Sequence, residues 1–94
     1  MLSELRRRRE AILDLAARYG AREVRVFGSS VRGEGGPHSD VDLLVELDAD
    51  RSLLDHVALA LDLEELLGRR VEVVTPSALH WYIRDRVLAE AVPL

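Results

Sequence analysis

The sequence holds 94 residues, enough for one small hydrophobic core, since a chain of this size removes only about 60–65% of its extended surface from water on folding. Its 17 acids against 13 bases, all of them arginine, leave a formal charge of −4 and argue against a nucleic-acid binder that is basic all over its surface. Cysteine is absent, which excludes disulfides, thiolate metal sites and cysteine nucleophiles, and no apolar run approaches the roughly 20 residues that span a bilayer.

Leu5, Ile12, Leu15 and Ala16 recur at helical spacing, so the chain is expected to open with one amphipathic helix from Ser3, its N-cap, to about Arg18, stopped by Gly20. Glu23 to Phe27 reads as a short strand of β-branched and aromatic residues that breaks at Gly28-Ser29-Ser30 in a helical turn. Three glycines and Pro37 make Gly33 to Ser39 a loop, and Val41 to Leu47 returns to strand composition. Ser52 opens a long helix ending at Gly68, with Leu53, Leu54, Val57, Leu61 and Leu66 read as its apolar face. A third strand, Arg70 to Val74, stops at Thr75-Pro76, and Ser77 is placed to cap a last helix running to about Leu88 or Ala89. The order α-β-α-β-α-β-α predicts an α/β domain of the α+β type, a three-stranded mixed sheet flanked by helices, with residues 1–94 as a single domain without repeats or linkers.

Asp40 and Asp42 flank Val41 where the second strand begins, and side chains two apart on a strand share a face. Two carboxylates held that close repel unless a cation lies between them, and hard oxygen ligands suit Mg²⁺. Gly28 at the end of the first strand permits close backbone approach, and the N–H groups of the turn after it, with the Ser29 hydroxyl, can hold phosphate oxygens. Arg32, one turn on, is within reach of a phosphate. Glu72 stands inside the apolar run Val71-Glu72-Val73-Val74, where an acid either faces solvent beside Arg70 or Arg25 or has a cation to neutralise it. If the third strand lies beside the second, Glu72 joins Asp40 and Asp42 in a triad suited to two metal ions.

The words GSSVRGE and SDVDLLVE, a dozen positions apart, followed by an acid on the next strand, resemble the signature of the DNA polymerase beta nucleotidyltransferase superfamily. The short chain looks like the minimal nucleotidyltransferases of prokaryotes. The resemblance implies the nucleotidyltransferase fold, a triphosphate held at Gly28 and Ser29 with Ser30 beside them, and two Mg²⁺ ions on Asp40, Asp42 and Glu72. Position 72 departs from the commoner aspartate of the family. The implied reaction is in-line attack of an acceptor oxygen on the α-phosphorus of a nucleoside triphosphate, ATP by preference, with pyrophosphate leaving. Members of this size are often paired with a helical HEPN protein, an RNase-like toxin, which they neutralise by binding or by transferring AMP to a tyrosine. A protein partner of that type, or a homodimer, is therefore expected.

The alternative is a binding module with a nucleotide pocket but weak or absent turnover, which works by masking a partner. Transfer to an RNA end or a small-molecule hydroxyl is a third reading, disfavoured because the larger relatives that do this carry additional domains. Arg6 to Arg9 point all round a helix and read as a solvated face rather than an RNA-binding patch. His38 reads as an exposed loop residue, and His56 and His80 lack metal-ligand spacing. Trp81 and Tyr82 are expected to pack on the sheet or on a partner rather than stack on a base. With no signal-like apolar region at the start, the cytoplasm is the expected compartment.

Overall fold

A computed structural model of the chain describes residues 1–34 and 39–94. Gly35, Gly36, Pro37 and His38 lie outside the described residues, and with them the expectation of an exposed loop histidine. The elements run α1 (Leu2–Arg7), α2 (Arg9–Arg18), β1 (Ala21–Phe27), α3 (Ser29–Arg32), β2 (Val41–Leu47), α4 (Leu53–Leu67), β3 (Val71–Val74), a 3₁₀ turn (Pro76–Ala78), α5 (Trp81–Glu90) and β4 (Val92–Pro93). The sheet is mixed, in the order β3-β2-β1-β4, with β2 antiparallel to β1 and parallel to β3.

Alternation along the strands decides where the core sits. Val41, Leu43 and Val45 of β2, Val24 and Val26 of β1, and Val71 and Val73 of β3 are all buried against Leu5, Ile12, Ala16, Leu59 and Leu63 from the helices. The intervening residues, Asp42 and Leu44 of β2 and Glu72 of β3, therefore belong to the opposite face of the sheet.

Several expectations need correction. The sheet has a fourth strand, β4, opposite Arg25 and Val26 of β1. It escapes a pattern search because it is two residues long and half proline, and an edge position is where a residue with no N–H to donate is tolerated. The opening helix is two helices that meet at Arg8, whose N–H closes a tight turn onto the Leu5 carbonyl at 3.0 Å. Ser3 lies within α1, and Met1 is the N-cap. Of the arginine run, Arg9 Nε donates to the Leu94 oxygen at 3.1 Å and Arg6 Nη2 to the Pro93 carbonyl at 3.4 Å. Those two arginines therefore tie down the end of the chain rather than only facing water.

Helix α4 starts where expected, with Ser52 as N-cap and its N–H donated to the Asp55 carboxylate at 3.0 Å. Of the five residues read as its apolar face, Leu66 alone packs against the core. Leu59 and Leu63 are in the core, whereas Leu53 is 74% exposed and Leu54 80%, with Val57 and Leu61 also exposed. The helix is apolar nearly all round, so hydrophobic spacing does not choose a face. The polar contacts do: His56 Nε2 meets the Val73 carbonyl at 2.5 Å, and the Tyr19 hydroxyl donates to Asp62.

The last helix begins at Trp81, capped by His80 Nδ1, which accepts from the Tyr82 N–H at 3.1 Å. Ser77 belongs to the separate 3₁₀ turn, because the extended backbone of Leu79 breaks the helical path. Helix α5 buries only Val87, and Trp81 and Tyr82 stand in solvent instead of packing on the sheet. No described helix is long and apolar enough to cross a membrane.

Candidate active site

Gly28 ends β1 with φ 81° and ψ −152°, a backbone region where side-chain-bearing residues are strained. A Cβ at this position would also run into the Asp42 carboxylate. Both the turn and the close approach therefore require glycine. The chain then winds a single turn, α3, in which the Val31 and Arg32 N–H groups return to the Gly28 carbonyl at 3.1 and 3.2 Å. Ser29 is partly buried at the start of the turn, and Arg32 is exposed at its end. Ser30 is 4% exposed, and its hydroxyl has no hydrogen-bond partner among the described residues.

The acids meet this turn through sheet register. Phe27 lies opposite Asp42, and Asp42 lies opposite Glu72, so the end of β1 and both carboxylates come together at one end of the sheet. The cross-strand neighbour of Glu72 on β2 is thus an acid rather than Arg25 or Arg70. Asp40 precedes β2 and is exposed; with Glu72, Glu64, Arg70 and Val71 it lines an open cleft of about 340 Å³.

Partial burial, then the negative charges of Glu72 and Asp40, push the Asp42 carboxyl up from 3.8 to about 6, with Arg32 acting in the opposite sense. Such a shift marks negative charge without a counter-ion. Among the described residues, no three acidic or histidine side chains are gathered closely enough to enclose a metal, as expected of carboxylates that repel. The donors are all carboxylate oxygens, which fits a hard divalent cation such as Mg²⁺.

A further residue completes the arrangement, and no local motif marks it. Glu90, the last residue of α5, accepts the Gly28 N–H on Oε2 at 3.0 Å and pairs through Oε1 with Arg32 Nη1 at 2.6 Å. Arg32 Nε also contacts Glu34 Oε1 at 2.5 Å. Burial alone would raise the Glu90 carboxyl, but the Gly28 N–H, the Arg32 bond and the charges of Arg32 and Arg86 outweigh it and hold it below the usual range.

The profile of the nucleotidyltransferase domain matches residues 8–94. The chain belongs to that family. It is 48% identical to the protein adenylyltransferase MntA of Thermococcus cleftensis over 84% of this chain and 80% of that protein. It is 40% identical to a candidate protein adenylyltransferase of Methanocaldococcus jannaschii, over 97% and 95% of the two chains. The solved structure of a candidate minimal nucleotidyltransferase superposes with a TM-score of 0.87 at 55% identity, over 99% of this chain and 95% of that one. A chain of a toxin–antitoxin complex with AMP-PNP aligns with a TM-score of 0.74 at 20% identity, over 87% and 68%, a likeness of fold. The resemblance to minimal nucleotidyltransferases therefore holds, as does the mixed α+β architecture, and the protein is a nucleotidyltransferase.

Proposed function

We propose that this nucleotidyltransferase moves AMP from ATP to a hydroxyl on a partner protein. The carrying observation is the register Phe27, Asp42, Glu72, which puts the phosphate-seat glycine and two carboxylates side by side. Asp40, Asp42 and Glu72 would hold the divalent metal, and Gly28, Ser29, Ser30 and Arg32 the triphosphate. Bound there, Mg²⁺ would offset phosphate charge and acidify the acceptor hydroxyl. The chain's own groups do the rest. Backbone N–H and guanidinium donors align the triphosphate so that the acceptor oxygen bonds to the α-phosphorus as the bond to pyrophosphate breaks. Glu72, open to the cleft, takes the acceptor's proton.

The partner is read as a helical HEPN-type toxin in the cytoplasm. This reading is supported by the protein adenylyltransferase relatives and by the fold likeness to a toxin–antitoxin complex. Calorimetric titration of ATP with Mg²⁺ into the wild type and Asp42→Ala, followed by pyrophosphate release with candidate partners, tests it. Binding is expected in the wild type, with loss of binding and at least about a hundredfold loss of turnover in the variant. Unchanged turnover in Asp42→Ala would sink the assignment. A second reading, a module that neutralises its partner by binding alone, is favoured by the exposed apolar residues of α4 and α5. It predicts ATP binding and complex formation without pyrophosphate release.

A further inference from the structure

Two of the groups at the proposed phosphate seat, the Gly28 N–H and the Arg32 guanidinium, are already engaged. The Gly28 N–H is taken by Glu90 Oε2 at 3.0 Å, and the Arg32 guanidinium is shared between Glu90 Oε1 at 2.6 Å and Glu34 at 2.5 Å. An N–H aims one hydrogen at one acceptor, so a phosphate oxygen and the Glu90 carboxylate cannot both take the Gly28 donor. We infer that Glu90 is an internal stand-in for a phosphate oxyanion and that a polyphosphate enters the seat only by displacing it. This rests on the assignment of Gly28 and Arg32 to the triphosphate.

Three features make the displacement workable and give it consequence. Glu90 is tethered, so its effective concentration at the seat is high and sets a threshold that weakly held anions do not cross. Its anchorage is light on one side and firm on the other. Helix α5 buries only Val87 of its ten residues, while the chain just beyond Glu90 is pinned by β4 pairing with Arg25 and Val26. The side chain can therefore leave without dismantling the sheet. Electrostatics favours a cation-loaded ligand: Asp40, Asp42 and Glu72 stand beside the seat, so a bare anion meets like charge there. A metal-bound triphosphate has carboxylate partners of its own with which to outcompete Glu90.

The probes are Mg²⁺-ATP and Mg²⁺-tripolyphosphate, titrated calorimetrically into the wild type, Glu90→Gln and Glu90→Ala, with the Gly28 amide resonance followed by NMR. Removing the competing charge is expected to tighten binding of both ligands by about tenfold or more, in line with the loss of a charge-assisted hydrogen bond. In the wild type, tripolyphosphate should shift the Gly28 resonance. A residue that merely braces the fold would instead weaken binding when replaced, so equal or weaker affinity in both variants overturns the inference. The two levels of failure are distinct. If only the stand-in role is wrong, the Gly28 resonance moves at the same ligand concentration in all three proteins. If the phosphate-seat reading is wrong as well, tripolyphosphate leaves it unmoved in all three.

Discussion

Asp42 and Glu90 are two carboxylates that both lie against Gly28, one where a Cβ would reach and the other on its N–H, yet their surroundings push them in opposite directions. Asp42 is partly buried beside Glu72 and Asp40 and holds its proton up to about pH 6. Glu90 rests on an N–H and a guanidinium and stays ionised below the usual carboxylate range. The difference separates the two sides of Gly28 by what each is missing. The acid side needs a cation, whereas the N–H side already holds an anion. Nucleotide with metal supplies the first and competes for the second.

The change expected to damage both sides most is Gly28→Ala, because it strains the backbone at φ 81° and drives a methyl group into Asp42. Denaturant unfolding should show a loss of roughly 1–3 kcal/mol, and ATP binding should vanish with it. A variant as stable and active as the wild type would contradict the close approach of the two strands' ends.

Next in size is the pH response. For Asp42 the native carboxyl binds its proton more tightly than the unfolded one, so its contribution to stability is fully present below pH 3.8 and is lost as the pH rises through about 6. Glu90 runs the other way, its contribution being present above the ordinary value of 4.5 and lost as the pH falls through its lowered native value. In metal-free protein the melting temperature of Asp42→Asn, which mimics the protonated form, should overtake that of the wild type across this window. Added Mg²⁺ should raise the wild-type melting temperature more at about pH 7 than at about pH 5, since metal and proton compete for the same oxygens. A gain from Mg²⁺ independent of pH would remove Asp42 from the metal site.

The smallest effect is expected for Glu72→Gln. Relieving one repulsive neighbour of Asp42 should change metal-free stability by no more than about 1 kcal/mol, in the stabilising direction. The same substitution should weaken Mg²⁺ binding measured by calorimetry. Stabilisation without loss of metal affinity would make Glu72 a bystander.

Much of the acid side is legible in the chain order. Asp40 and Asp42 flank the first residue of β2, Glu72 sits in an apolar run, and Gly28-Ser29 follows an earlier strand, so local rules single out each of them, while the pairing of β1 and β3 with β2 is what brings them together. Glu90 obeys no such rule. It is 62 residues from Gly28, and its spacing from neighbouring residues on α5 resembles that of any surface glutamate. The buried face of α4 escapes a local reading for a related reason. Leu53, Val57 and Leu61 are comparably apolar to Leu59 and Leu63, and the polar contacts of His56 with Val73, of Asp62 with Tyr19 and of Glu64 with the Val71 N–H mark the side that turns inward.

The amino-acid sequence by itself determined the identity and approximate ends of the three longer strands, the N-terminal boundary of α4, the turn at Gly28-Ser29 and the nearness of Asp40 to Asp42. Each depends on interactions among residues close in the chain, whose geometry is set by backbone sterics and side-chain period. Only the tertiary structure decided the fourth strand, the buried side of α4, the solvent exposure of Trp81 and Tyr82, and the contact of Glu90 with Gly28 and Arg32. Those depend on which distant surfaces meet, a choice made by the sum of burial and polar pairing over the whole fold rather than by any local pattern.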